Sequence, residues 1–261
     1  MCVGYFLVLL DVTIVNVGLP RIGAELHASV SGLQWVVDGY ALALASLMLA
    51  GGTIGDFRGH KRVVLVGLVV FGLGSLACGL APGVGVLVAA RAVQGIGAAL
   101  LLPGTLAIIS HAFPQQAEQA RAIGVWAGIG SLALAAGPLL GGVLISGFGW
   151  RAIFLVNVPI VVASLVAAMR IVRESTDPHG HPPDERGVIL GMLLLLATTF
   201  AFIEAGRLGA GSPWVVAAAV AAVLLAGLFV LAERQRQAAA MLPLELFRRP
   251  AFASPTGPPA R

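Results

Sequence analysis

Charge is scarce in this sequence. Asp, Glu, Lys and Arg together make up 11% of 261 residues, against roughly 25% in ordinary water-soluble domains. A chain so poor in charge cannot cover a water-facing surface, which excludes a soluble globular protein and makes lipid the solvent for most of its length. Cysteine is scarce too. Cys2 and Cys78 stand singly in apolar surroundings, which excludes a disulfide framework, and without a clustered Cys/His set no metal site is expected. H-E-x-x-H pairs and P-loops are absent, and "GIGS" around Ser131 is too weak to mark a nucleophile, so neither an enzyme nor a bound cofactor is expected. The basic residues fall singly or in small groups between apolar runs, so the net charge of +4 does not point to nucleic acid. No basic leader precedes the first apolar run, which reads as a span rather than a signal peptide.

What the chain does have is long oily runs. They lie near 2–19, 33–54, 63–81, 83–110, 122–145, 152–169, 188–204 and 214–232. Each is long enough to cross about 30 Å of hydrocarbon as a helix. Nothing suggests a closed barrel, and lipid tolerates no open strand edge. The expected fold is therefore an all-α integral membrane protein of about eight transmembrane helices. Six would form an N-terminal bundle over 1–170, followed by a linker at 171–187, two further helices over 188–232 and a tail at 233–261. One set of loops holds Arg58, Lys61, Arg62, Arg121, Arg170, Arg173, Arg186, Arg234, Arg236, Arg248 and Arg249, and the opposite set only Arg21, Arg151 and Arg207. The positive-inside rule then puts both termini in the cytoplasm of a multi-pass cell-membrane protein.

Three stretches stand out. "GGTIGDFRGHKR" (51–62) should be a short, sharp loop needing Gly55 and Gly59. There Asp56 would face free backbone N–H groups at the start of the third span, or pair with Arg58, Lys61 or a neighbouring helix; a plain solvated turn is the alternative. "RAVQGIGAALLLPG" (91–104) places Arg91 about two turns into the fourth span, where it costs about 2.5–3.5 kcal/mol near the bilayer centre. Gln94 follows on the same face, and Gly95, Gly97, Ala98 and Ala99 admit a close helix neighbour. The plainer alternative is that Arg91 snorkels outward. In "GIGSLALAAGPLLGGVL" (128–144), Gly137 and Gly141, like Gly124 and Gly128, are spaced for close packing, and Pro138 removes a backbone donor.

Together these stretches resemble signatures of the major facilitator superfamily, and within it the fourteen-span drug:proton antiporters. The first matches the superfamily's loop signature (Gly52, Asp56, Gly59, Lys61, Arg62), the second its span-four signature (Arg91, Gln94, Gly95), and "GPLLGG" its span-five antiporter signature (Gly137, Pro138, Gly141, Gly142). "LDVTIVNVGLP" (10–20) and "WRAIFLVNVP" (150–159) resemble signatures of the first and sixth spans in the fourteen-span group. Phe57 stands where the loop signature usually has Arg, and His60 where Arg is frequent. The resemblance implies six spans of one transporter half, then the extra pair, with a second half not among the eight spans.

Asp11 is the most conspicuous intruder in the first span. An acid there costs about as much as Arg91, while each Leu, Ile or Val returns only about 0.3–0.6 kcal/mol. It should avoid lipid and face an internal cavity. Burial disfavours its charged form, which makes it a candidate proton carrier. Asn16, off its helix line, should cap or bridge elsewhere. Asp38, beside Tyr40, is a second intramembrane acid, and Glu204 reads as interfacial. By resemblance, proton coupling falls on Asp11 and Arg91 first, then Asp38. The implied function is proton-coupled efflux of small molecules such as lipophilic cations, with the proton gradient as energy source. The implied partners are substrate, protons, lipid, and a second half or a second copy. The alternative is a non-transporting membrane fragment.

Overall fold

A computed structural model describes residues 1–172, 174 and 185–236 of the chain. All regular structure in them is helical: α1 (Cys2–Leu26), α2 (Val30–Arg58), α3 (His60–Gly79), α4 (Val84–Ala112), α5 (Gln116–Phe148), α6 (Ala152–Leu155), α7 (Asn157–Ile171), α8 (Glu185–Leu208) and α9 (Pro213–Arg236). With α6 and α7 making one span, eight segments are long and apolar enough to cross a membrane. The described helices fall into two compact units, α1–α7 and α8–α9. The expected linker and tail lie largely outside the described residues.

The helices run longer than the apolar windows. α5 begins at Gln116, so Arg121 is helical, and α2 continues to Arg58. The expected loop at 51–62 is in fact a single non-helical residue, Gly59, whose φ of +96° suits glycine. Gly55 is helical, not a turn residue. It leaves room for the His60 ring, since a Cβ on Gly55 would lie 2.5 Å from His60 Nδ1. Hydrophobic periodicity detects where a helix meets lipid or core, but a helix extends past that point wherever its backbone bonds are made. The other ends follow ordinary chemistry. Ser29 Oγ accepts from Gly32 N–H at 3.1 Å to start α2, Gly149 (φ +80°) and Gly209 (φ +81°) follow α5 and α8, and Pro213 opens α9.

Within the first unit, α4 packs against both α2 and α3 through glycine. A Cβ on Gly95 would sit 2.5 Å from the Tyr40 carbonyl oxygen, and one on Gly74 2.7 Å from the Gln94 backbone nitrogen. Two apolar clusters result. One contains Ile14, Val36, Cys78, Leu87, Trp150 and Phe154; the other contains Leu7, Val8, Tyr40, Phe71, Leu101 and Val161. Outward faces are apolar as well, as with Leu73 on α3 and Leu139 on α5, 60% and 72% exposed. Lipid, not water, is the solvent for such a surface.

Along α5, Gly137 and Gly141 lie against Thr13, Ile14 and Val17 of α1, so that half of the expected packing exists. Gly124, Gly128 and Gly142 have no neighbour within 4 Å of a built Cβ among the described residues. Spacing shows that residues share a face, but not whether a helix covers it.

Candidate functional site

The two clusters follow one another along four helices. α1 passes from Val8 to Ile14, α2 from Tyr40 to Val36, α3 from Phe71 to Cys78 and α4 from Ala98 to Ala90. Between them on α1, α3 and α4 sit Asp11, Ser75, Arg91 and Gln94, each 0–1% exposed. A polar layer is thus enclosed by apolar layers above and below.

Arg91 is the hub. Its Nη1 donates to Asp11 Oδ2, and also to Gln94 Oε1 at 2.7 Å. Its Nε donates to the Val36 carbonyl oxygen at 2.9 Å. The guanidinium carbon lies 4.2 Å from the Tyr40 ring centroid, a cation–π contact. Snorkelling is therefore ruled out for Arg91, which is 1% exposed. Gln94 turns both ends of its amide to use: Nε2 donates to Asp11 Oδ1 at 2.7 Å and to Ser75 Oγ at 2.8 Å. Cys78 Sγ–H donates to Gln94 Oε1 at 3.7 Å. Asn157, the first residue of α7, donates to Ser75 Oγ at 3.4 Å. Tyr40 Oη donates to the Val8 carbonyl at 3.3 Å.

The arrangement fits the energetics of low dielectric. Each lone charge would be costly to bury, whereas the Asp11–Arg91 pair is neutral overall, and Asp11 Oδ1 and Arg91 Nε have hydrogen-bond partners of their own. Protonating Asp11 would break the ion pair and leave the layer with one net positive charge.

The remaining expected residues scatter. Asp11 does not face a cavity; the packing of α1 against the α2–α4 group encloses it at 0% exposure. Asp38 is half-buried on α2. Asn16 Nδ2 donates to Val12 O, one turn back, at 3.2 Å, and no distant partner appears among the described residues. Asp56 sits at the end of α2, not the start of α3, and pairs with His60 at 3.1 Å rather than with Arg58 or Lys61. Lys61 and Arg62 instead meet Glu174 beyond α7: Lys61 N–H donates to Oε1 at 3.0 Å, and Arg62 Nε lies 3.6 Å from Oε2. Glu204 is 4% exposed and paired with Arg207 on its own helix. Ser75, Asn157 and Tyr40's ring escaped notice as site residues. Small polar residues bond back to their own helix so often that nothing marks these as bridging.

Comparison with known proteins bears on this geometry. Residues 1–246 match the family model of the Major Facilitator Superfamily. The chain is 40% identical over 250 residues to the multidrug resistance protein Stp of Mycobacterium tuberculosis, covering 96% of this chain and 46% of that protein. It is 39% identical over 254 residues to the methylenomycin A resistance protein of Bacillus subtilis, covering 97% and 54%. The chain therefore spans about half the length of the curated relatives it matches. Its fold resembles the crystal structure of the POT family transporter PepTSo, with a TM-score of 0.62 at 15% identity over 95% of this chain and 55% of that one. The chain belongs to the major facilitator superfamily.

Proposed function

We propose that this superfamily member forms one half, with an added helix pair, of a proton-coupled exporter of amphipathic small molecules. In this reading α1–α7 are the six-span half, and α8 and α9 are the extra pair of the fourteen-span antiporters. The basic loops face the cytoplasm of a cell-membrane protein. The relatives' names, multidrug resistance protein Stp and methylenomycin A resistance protein, support the substrate class. A single observation carries the coupling role. Asp11 and Arg91 are separated by 80 residues, yet they are paired in a buried layer between two apolar ones.

Asp11 takes up a proton and releases Arg91, which stays held by Val36 O and Gln94 Oε1. The α1–α4 seam is then free to shift, and losing the proton restores the pair. The membrane potential assists, since one charge crossing 100 mV is worth about 2.3 kcal/mol. Rocking needs a second half, supplied by further polypeptide, a partner chain or a second copy.

The test is proton-driven dye uptake into inverted vesicles, with this chain alone and with a second half supplied. Uptake lost in Asp11→Asn supports the reading. Uptake that survives Asp11→Asn defeats the coupling role. Absence of uptake even with a second half favours the non-transporting alternative.

A further inference from the structure

His60 opens α3 and is 2% exposed. Its Nε2 lies 3.1 Å from Asp56 Oδ1, across the one-residue turn at Gly59. That contact assigns the proton of the neutral ring to Nε2, which donates to the carboxylate. Nδ1 is then a bare acceptor, buried against Gly55 and without a hydrogen-bond partner among the described residues. The His111 ring of α4 stands 5.7 Å away, its own Nδ1 lying 2.8 Å from the Ala107 carbonyl. The titratable groups that act on His60 are Asp56 from α2, His111 from α4 and Glu174 from beyond α7, while its neighbours Lys61 and Arg62 on α3 are engaged by Met169 O and Glu174.

A second proton on this ring would sit on Nδ1. It would create a charged N–H pointing into packed backbone, with no acceptor. The compensating gain at Asp56 is small, because that side chain is 69% exposed and its charge is screened by solvent. His111 adds repulsion once it too is charged. A doubly protonated His60 and this packing of α2 on α3 therefore exclude each other.

We propose that His60 makes the α2–α3 turn a proton-operated clasp, closed while the ring is neutral and released when it is charged. The contacts at risk are Lys61 N–H to Glu174 and Val63 N–H to the Gly59 carbonyl. This inference does not rest on transport by the chain.

The experiment is amide hydrogen exchange of Lys61 and Val63 in the full chain in lipid nanodiscs. It runs from about pH 8 to about pH 5, the range in which histidine titrates, corrected for intrinsic exchange. The expected result is an acceleration of at least about tenfold on acidification. His60→Gln can still donate to Asp56 but cannot gain a charge, so its exchange stays slow throughout. His111→Gln keeps the acceleration and moves it to higher pH, because a like charge is removed. The proposal is overturned if wild-type protection does not change with pH, if His60→Gln loses protection equally, or if His111→Gln abolishes the transition.

Discussion

Each unit of the molecule holds a buried acid paired with an arginine, and the two pairs are built differently. In α8–α9, Glu204 and Arg207 are three residues apart on one helix. In α1–α7, Asp11 and Arg91 come from helices distant in sequence. The first pair is made within a single helix. The second exists only at one spacing of α1 and α4, so its energy depends on conformation. Burial alone does not make a pair a sensor; connectivity does.

The sharpest way to break this comparison is to remove one charge from the inter-helix pair. Arg91→Met leaves Asp11 buried and unpaired and should destabilise the first unit by about 3–5 kcal/mol, measured by steric-trapping unfolding in bilayers. The double change Asp11→Leu with Arg91→Met should recover most of that loss. If the single change costs no more than the double, the pair is not the constraint described here.

Next in size is the glycine seam between α3 and α4. Gly97→Val drives a side chain into the backbone of Phe71 on α3 and should cost about 1–3 kcal/mol. Gly142→Val on the open face of α5 should stay within about 0.5 kcal/mol, and equal costs would mean that α5 has a neighbour there. Below Gly97→Val comes Ser75→Ala, which removes an acceptor shared by Gln94 and Asn157 and should cost about 1–2 kcal/mol by the same measurement. The least effect belongs to the other pair. Glu204→Gln keeps an oxygen that can accept from Arg207 and should cost about 1 kcal/mol or less by the same measurement.

The same contrast explains what was legible in the sequence. Asp11, Arg91 and Gln94 are conspicuous because each is expensive where it stands, and the apolar runs around them can only be helices in lipid. Their mutual contact was not legible. Helical periodicity places residues on a face of their own helix and carries nothing about which face of which helix lies opposite. Asp56 shows this on a small scale. Its neighbours in sequence offered Arg58, Lys61 or a neighbouring helix, and the partner is His60 at the start of α3, set by a turn of one residue. Glu204 is a smaller case: its place near a helix end was legible, its burial was not. Where helices stop was misread for a related reason, since α2 and α5 carry their backbone bonding well past their oily windows.

One contact of Arg91 involves no partner side chain at all. Its Nε holds the main-chain oxygen of Val36, an atom that every residue type supplies. Whatever drift in natural sequences does to the shape of position 36, this handhold is inherited unchanged, so the arginine stays tethered to α2 through mutational histories that would erase an ordinary side-chain partnership.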